Sequence, residues 1–342
     1  MTAKTSLIAL CAIALAGCGA NGTAASTHLV PVAGKSSMTA GSSHASIHAQ
    51  APLNLHVHQI TLTDPTSVTA GPDGNIWVAT NALTRLTPNG HRTDFNVVGS
   101  VGAMTTAFGK VWFFGGTFPS PYVANIDTTS KQITRFDLPP GHCTGDGITG
   151  GPDGNIWFPD NCGGSIMRVT PAGVMTSFPM PRGLFVNDII SGPDGKLWFT
   201  ADDGGNFGKV DMLGNVSIIS LPLAFFPQGL VIGPDGNVYI YDTYHAFLYR
   251  VTPQNAFVKF QAALPKGRDV RVAVGPDKAI WMLSLAGQVQ RFDPATGIMS
   301  GVMTLPNGPG GPAAGATGIV TGADGDLYMT AGSANYIGVV EL

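Results

Sequence analysis

Short apolar runs alternate with tight glycine turns along most of this chain, and each turn leads into a strand that contains an aromatic residue. The first copy, Gly71–Trp77, reads GPDGNIW. Its proline presets the backbone at the second turn position and its last glycine accepts a positive φ, so the pattern predicts a β-hairpin. The seven copies are Gly71–Trp77, Phe108–Trp112, Gly151–Trp157, Gly192–Trp198, Gly233–Tyr239, Gly275–Trp281 and Gly322–Tyr328.

The spacing of these copies predicts a β-propeller. Their aromatic residues lie 35 to 47 residues apart, and the sequence between them has strand rather than helix periodicity. Such a period is typical of propeller blades with four strands each. A third strand such as Ser165–Val169 and an outer strand such as Val174–Phe178 follow each hairpin. We therefore predict an all-β, seven-bladed β-propeller with four-stranded blades.

The two ends of the repeat region predict how the ring closes. The last copy is followed by one further strand, within residues 334–342, and by no outer strand. The segment His56 to Thr63, ahead of the first copy, has the pattern of an outer strand such as Gln132–Phe136. We expect this N-terminal strand to complete the last blade and so to remove an exposed sheet edge.

Composition agrees with one large β domain and excludes one class of partner. The chain has 342 residues, of which 44% are hydrophobic, and this suffices for a buried core. Only 11% are charged and the net charge is −3, so a basic surface for nucleic acid is not expected. The repeated aromatic residues occupy one equivalent position in every blade, which predicts packing between blades rather than ligand stacking.

The first residues predict export and lipid attachment. An apolar run, Ser6–Ala16, is too short to span a bilayer and is typical of a signal peptide. The tetrapeptide Leu-Ala-Gly-Cys ending at Cys18 is similar to the bacterial lipoprotein box, and the alternative is an ordinary secretory signal. We expect a signal peptide over residues 1–17, lipidated Cys18 with a flexible tether over residues 18–52, and the propeller over residues 53–342.

These segments predict a protein of the bacterial cell envelope, exported and held at the membrane by its N-terminal lipid, with the outer membrane or the periplasmic face favoured. Such a location permits disulfides. Cys143 precedes the inner strand of the third blade and Cys162 follows the next, antiparallel strand, so their positions are neighbours. We predict a disulfide between them. A metal site is the alternative, but no His or third Cys stands in register to complete it.

The third repeat carries a resemblance to a known family. The octapeptide GPDGNIWF at residues 151–158 is preceded by a Gly-Ile-Thr strand and followed by Ile-Met-Arg-Val-Thr-Pro. This pattern resembles the virginiamycin B (streptogramin B) lyase family over about residues 54–342, with other propeller families as more distant relatives. The resemblance implies a reaction in which a His base takes an α-proton, a magnesium ion assists, and a cyclic depsipeptide is opened by elimination.

The family's catalytic positions are altered in this chain. The family's His stands five residues before the first glycine of a repeat, and its Glu stands at the end of the second strand. The first position holds Thr66, Gly102, Asp146, Asn187, Gln228, Val270 and Thr317. The second position holds Thr80, Gly115, Asp160, Ala201, Asp242, Ser284 and Ala331. The resemblance therefore leaves the question of catalysis open.

Polar residues at these two positions predict a site at one channel mouth, because the starts of inner strands and the ends of second strands meet at one face of a propeller. Its predicted residues are Asp146, Asn187, Gln228, Asp160 and Asp242. Such oxygen ligands suit magnesium or calcium, and they equally suit a small molecule, a glycan or a peptide. We expect a binding protein. The alternatives are a metal-assisted C–O lyase with Asp146, Asp160 or His245 as catalytic candidates, and acids that only satisfy backbone groups in turns.

Overall fold

The computed structural model describes residues 52–117, 119–181, 184–202, 204–267 and 269–342. The predicted signal peptide, Cys18 and the predicted tether up to residue 51 lie outside these residues. Within the described part, no helix has the length and apolarity needed to cross a membrane. The described residues form 28 strands, arranged in seven antiparallel sheets of four strands each. The predicted all-β class and the seven four-stranded blades are thus confirmed.

The strands follow the repeats in chain order. The segment that precedes the first repeat forms β1 (Val57–Thr61). Blade 1 consists of β2 (Ser67–Ala70), β3 (Ile76–Ala79), β4 (Leu83–Leu86) and β5 (Arg92–Phe95). Blade 2 consists of β6 (Val101–Ala107), β7 (Lys110–Gly115), β8 (Tyr122–Asp127) and β9 (Ile133–Asp137). Blade 3 consists of β10 (Thr149–Gly150), β11 (Ile156–Asp160), β12 (Ser165–Val169) and β13 (Met175–Pro179).

The second half of the ring repeats this arrangement. Blade 4 consists of β14 (Val186–Ser191), β15 (Leu197–Ala201), β16 (Asn206–Val210) and β17 (Val216–Ser220). Blade 5 consists of β18 (Pro227–Ile232), β19 (Val238–Asp242), β20 (Phe247–Val251) and β21 (Phe257–Gln261). Blade 6 consists of β22 (Val270–Val274), β23 (Ile280–Ser284), β24 (Gln288–Asp293) and β25 (Ile298–Thr304). Blade 7 consists of β26 (Ile319–Thr321), β27 (Leu327–Ala331), β28 (Tyr336–Val340) and β1.

The innermost strands close a ring around a central channel. The first strand of each blade contacts the first strands of both neighbouring blades, and β26 of blade 7 contacts β2 of blade 1. The N-terminal strand β1 pairs antiparallel with β28, with Val57 opposite Val340 and Thr61 opposite Tyr336. The predicted closure of the last blade by the N-terminal segment is therefore confirmed. Each sheet's inner edge faces the channel, where a ligand can reach it.

The repeated turn and its aromatic residue hold each hairpin to the next blade. In blade 1 the Trp77 indole donates a 3.0 Å hydrogen bond to Asp73 of its own turn, and the ring is fully buried. It packs with Val111 and Phe113 of blade 2. A Cβ atom on Gly71 would lie 2.4 Å from this ring, so only glycine fits there. The prediction that these aromatic residues pack between blades is confirmed.

Blade 2 is complete although its repeat is degenerate. Phe108 and Gly109 alone connect β6 to β7, with φ of 52° and 72°. Two consecutive positive φ values are typical of a two-residue type I′ hairpin turn. Ala107 and Lys110, which flank this turn, pair with each other in the ladder. A shorter turn thus replaces the four-residue turn of the other blades without loss of a strand.

Candidate functional site

The inner strands of three blades begin with a β-bulge. In β14 the pairing with β15 shifts between Val186 and Ile189, so that two residues, Asn187 and Asp188, face one residue of the partner strand. The same shift occurs in β6 between residues 101 and 104 and in β18 between residues 227 and 230. Bulges redirect side chains and are frequent beside functional sites. In blade 4 the bulge places Asp188 at the central channel.

Hydrogen bonds fix Asp188 between two blades. Its backbone N–H donates to the Thr200 hydroxyl at 3.3 Å, which satisfies a group that the bulge removes from the ladder. Its carboxylate accepts the N–H of Ile189 at 2.9 Å and that of Leu230, in blade 5, at 3.4 Å. A Cβ atom on Gly147 of blade 3 would lie 2.6 Å from this carboxylate. Asp188 therefore lies against the inner strands of the blades on both sides.

A cavity of about 480 Å³ occupies the central channel. The starts of the inner strands from six blades line it, and the charged residues among the lining residues are Asp146, Asp188 and Arg271. Arg271 follows the first residue of β22 in blade 6, and Asp146 precedes β10 in blade 3. Most of the remaining lining residues are small or apolar. A concave site with a few converging polar groups is the usual form of a small-molecule site.

Two of the three charged side chains in this cavity have no partner in the protein. Arg271 is half-buried and Asp146 is exposed to the cavity. Across the part of the chain that the structure describes, neither forms a hydrogen bond or an ion pair. Burying part of a guanidinium without a partner is unfavourable, because the charge loses hydration and gains no ion pair. The cavity therefore contains unpaired positive and negative groups.

The pKa of Asp188 differs from its ordinary value. Burial raises it from 3.8 to about 6, and the nearby charge of Asp146 adds to this rise. The Arg271 guanidinium and the two backbone N–H donors act in the opposite direction. Burial dominates because it removes water from the charged form. Displaced carboxyl pKa values of this kind are frequent at functional sites.

The raised pKa of Asp188 predicts how the stability of the fold depends on pH. The folded chain binds the Asp188 proton more tightly than the unfolded chain. The resulting contribution to the free energy of unfolding is therefore complete below pH 3.8 and is lost as the pH rises through about 6. The ionised group then costs folding at most about 3 kcal/mol. We expect Asp188→Asn to match the parent at pH 4 and to unfold at a higher temperature at pH 8. Thermal unfolding at both values checks this, with Asp137→Asn as control, and a difference independent of pH would contradict it.

The predicted site residues are not all at this cavity. Asp146 lines it, whereas Asp160 and Asp242 are fully buried. Asp160 accepts the N–H groups of Cys143 at 2.9 Å and Gly163 at 3.1 Å. It also accepts hydrogen bonds from the His142 ring at 2.5 Å and the Ser165 hydroxyl at 3.0 Å. Its oxygens therefore accept hydrogen bonds from the surrounding turn. This agrees with the alternative in which these acids satisfy backbone groups in turns.

Asp242 has the same role in blade 5. It accepts the N–H groups of Phe225 at 3.2 Å and Phe226 at 2.8 Å, and it bonds Nδ1 of His245 at 2.8 Å. Both carboxylates therefore fix the loop that precedes an inner strand. Each also orients a histidine.

The two predicted amide ligands are partly or largely buried. Asn187 donates to the backbone oxygen of Pro227 at 3.3 Å and to the carboxylate of Asp202. Gln228 is 9% exposed, and its side-chain oxygen has no hydrogen-bond partner. Among the described residues, no group of three or more His, Cys, Asp or Glu side chains is arranged to hold a metal ion.

His245 stands apart from the cavity in the turn between β19 and β20. The buried Asp242 carboxylate holds its Nδ1, and 36% of its side chain is exposed. The Tyr244 ring packs edge-on against the His245 ring, with their centroids 4.8 Å apart. It also packs against the Phe225 ring, with a centroid separation of 4.9 Å. Tyr244 and Phe225 are both about half exposed. A histidine oriented by a carboxylate beside exposed aromatic rings has the arrangement of a general base.

The two cysteines of blade 3 lie within bonding distance. Their sulfur atoms are 2.12 Å apart and their Cα atoms 5.5 Å apart. Cys143 directly follows His142, so this link and the Asp160 hydrogen bonds fix the same loop. The loop leads to Asp146 at the cavity, and the predicted disulfide would thus restrain one side of the site.

Sequence reasoning missed Asp188 and Arg271. Both stand four residues before the first glycine of a repeat, one residue after the position at which the family has its His. The other blades have small residues there, namely Ser67, Ala103, Gly147, Gly229 and Gly318. The sequence did contain a signal for these two residues. At a repeat position where the other blades have small residues, blade 4 has an acid and blade 6 has an arginine.

Comparison with known structures agrees with the architecture. A streptogramin B lyase structure has a TM-score of 0.73 at 23% identity, covering 86% of this chain and 100% of the other. A catalytically inactive variant of virginiamycin B lyase from Staphylococcus aureus, with quinupristin, has a TM-score of 0.73 at 22% identity, with coverage of 84% and 100%. Identities this low establish a shared fold and leave the activity undetermined.

A less similar structure shares the fold as well. The extracellular domain assigned to a hybrid two-component system from B. thetaiotaomicron has a TM-score of 0.65 at 13% identity, covering 84% of this chain and 43% of the other. No curated protein matches the chain. The Virginiamycin B lyase family matches residues 54–308, which is well over half of the sequence. That match confirms the resemblance carried by the repeat motifs, and the chain belongs to the Virginiamycin B lyase family.

Proposed function

We propose that this propeller is a lipid-anchored binding protein of the bacterial cell envelope that holds a small organic ligand in its central channel. The observation that carries the proposal is the cavity of about 480 Å³ with an unpaired Arg271 and an unpaired Asp146. A volume in this range suits a small molecule. Partly buried charges without protein partners gain most from a ligand that supplies those partners.

Two observations favour binding over the lyase reaction of the family. None of the seven positions equivalent to the family's His is a histidine in this chain. The two acids at positions equivalent to the family's Glu are Asp160 and Asp242, and both are occupied by internal hydrogen bonds. The elimination needs a free base and a metal, so we expect no turnover of streptogramins. Titration with magnesium and calcium checks whether a cation binds at all.

The cellular location in this proposal comes from the N-terminal sequence. Ser6–Ala16 and Cys18 have the pattern of a lipoprotein signal, and a lipidated cysteine with several acyl chains holds a protein stably at a membrane. A structurally similar propeller is the extracellular domain of another protein, which agrees with an exported role. Replacement Cys18→Ala is expected to release the protein from the membrane fraction.

Filling the channel tests the binding proposal. Ser67 lines the cavity from β2, so Ser67→Trp should occupy it, whereas Ser217→Trp places the same ring on the exposed outer strand β17. Thermal-shift measurements with amino acids, dipeptides, sugars and organic acids should find a class that stabilises the parent and Ser217→Trp alone. The proposal fails if nothing stabilises the folded parent, or if Ser67→Trp responds as the parent does.

A second candidate function is supported by the His245 arrangement. His245, held by Asp242 beside Tyr244 and Phe225, offers a base next to an aromatic surface, and a lyase could use it without the family's histidines. Mass spectrometry of quinupristin incubated with the protein, with and without magnesium, distinguishes the two functions. Ring opening that is lost in His245→Ala and kept in His91→Ala, which changes an exposed histidine, would favour the lyase.

A further inference from the structure

The charged groups of the central cavity come from three different blades. Arg271 lies on blade 6, whereas Asp188 lies on blade 4 and Asp146 on blade 3. The Arg271 guanidinium influences Asp188 electrostatically, yet within the described residues no carboxylate lies within ion-pair distance of it. Opposite charges in one partly dehydrated space usually pair directly. The three groups are carried by the inner-strand regions of separate blades around the channel, and Arg271 is left without an ion pair.

We propose that the central channel binds a small zwitterion, either a free amino acid or a dipeptide, with its carboxylate at Arg271 and its ammonium group at Asp146 and Asp188. This inference rests on the proposed binding function and specifies the ligand class of the same cavity. Guanidinium groups bind carboxylates through two parallel hydrogen bonds, and an ammonium group has three donors for carboxylate acceptors.

The carboxylates of Asp146 and Asp188 have enough free lone pairs to accept hydrogen bonds from an ammonium group. Asp188 accepts one N–H at each carboxylate oxygen, from Ile189 and Leu230, and each oxygen has a second lone pair. Asp146 has both oxygens free of protein donors. These two carboxylates already interact with each other unfavourably, and a shared ammonium group would remove that repulsion.

The charges favour a zwitterion over simpler ligands. Inorganic phosphate or sulfate would gain from Arg271 but would be repelled by Asp146 and Asp188, which face the same cavity. A divalent cation would gain from the two acids but would be repelled by Arg271. A zwitterion satisfies both sides at once, because each of its ends meets the opposite charge.

The remaining lining limits the body of the ligand. Apolar surface in the cavity comes from Val68, Met104, Phe114, Ile148 and Val272. Glycines among the lining residues leave the backbone itself as part of the cavity wall. A volume of about 480 Å³ leaves room for a dipeptide as well as a single amino acid. The side chains of the ligand would then lie against these apolar residues.

Calorimetry with defined probes tests the inference. The probes are the twenty free amino acids and the corresponding homodipeptides, and each one that binds is repeated with an acetylated amine or an amidated carboxylate. We expect either blocking group, and likewise Arg271→Gln, to weaken binding by about 50-fold. Asp146→Asn should weaken it by about 10-fold. Arg291→Gln, on β24 of the same blade and away from the cavity, should leave it within about twofold.

The outcomes separate this inference from the proposed function. Unchanged affinity of both blocked probes, or of Arg271→Gln, would overturn the zwitterion and would leave ligand binding in the channel intact. The same holds if only uncharged sugars bind and Ser67→Trp abolishes that binding. If no compound of any class binds the folded parent, both proposals fail. The blocked probes need no protein variant, so misfolding of Arg271→Gln cannot obscure the answer.

Discussion

Deletion of residues 53–62 is expected to lower the free energy of unfolding by about 5 kcal/mol or more, a large share of what a typical domain has. The deletion removes β1, which pairs with β28 along its whole length. It also removes Leu62, which is 1% exposed in a cluster with Val68 and Ile337. Truncation of a buried leucine alone costs about 2 to 5 kcal/mol. The loss of the ladder adds to this and exposes the edge of β28.

Urea denaturation followed by tryptophan fluorescence measures this effect. A variant that lacks residues 19–52 and keeps β1 is the matched control, and it should unfold at the same urea concentration as the parent. The variant that lacks residues 53–62 should unfold at a clearly lower concentration and should associate through its open edge. Equal stability of both variants would show that ring closure by the N-terminal strand contributes little.

Replacement of Asp160 by alanine is expected to destabilise the protein by about 3 to 5 kcal/mol, or to lower its Tm by about 10 °C. The fully buried carboxylate accepts four hydrogen bonds, including the N–H groups of Cys143 and Gly163. Removing it leaves these donors buried without an acceptor. The exposed Asp137, which pairs with Arg135, gives the control, and Asp137→Ala should change stability by less than about 0.5 kcal/mol.

The same carboxylate predicts how the difference depends on pH. Although burial raises the pKa of Asp160, its hydrogen-bond donors lower it further, so the net pKa lies below the ordinary 3.8. A lowered folded-state pKa gives stability that is present above pH 3.8 and is lost as the pH falls through the folded value. The stability difference between the parent and Asp160→Ala should therefore be largest near pH 7 and should become smaller in strong acid. A gap that stays constant down to low pH would contradict this role.

The fold could be predicted from the sequence because equivalent packing contacts recur from blade to blade along the chain. Trp77 and its equivalents must be buried between blades, and the glycine beside each ring must leave room for it, so both recur at fixed spacing. The missing outer strand after β28 pointed to β1 for a similar reason, because a propeller with an open edge is unfavourable. The buried aromatic residue recurs in all seven blades and the glycine beside it in six, so a single sequence displays both constraints repeatedly.

The site was less accessible because it depends on features that do not repeat. The bulge in β14 inserts one extra residue beside Asp188, and sequence spacing alone does not reveal a bulge. Attention to the family's His position found Asp146, but Asp188 and Arg271 stand one residue later and were missed. The oxygens of Asp160 and Asp242 accept hydrogen bonds from nearby backbone donors, and only the folded structure reveals these bonds. Residue type indicated polar chemistry at this face, but it did not indicate which groups were free.

The most direct measurement of the central claim is a crystal structure of the protein with the amino acid or dipeptide that binds it most tightly. We expect density in the central channel, with the ligand carboxylate on the Arg271 guanidinium and its amine between Asp146 and Asp188. Density at His245 and Tyr244 with an empty channel would contradict the account, because the ligand would then use the aromatic surface instead of the unpaired charges.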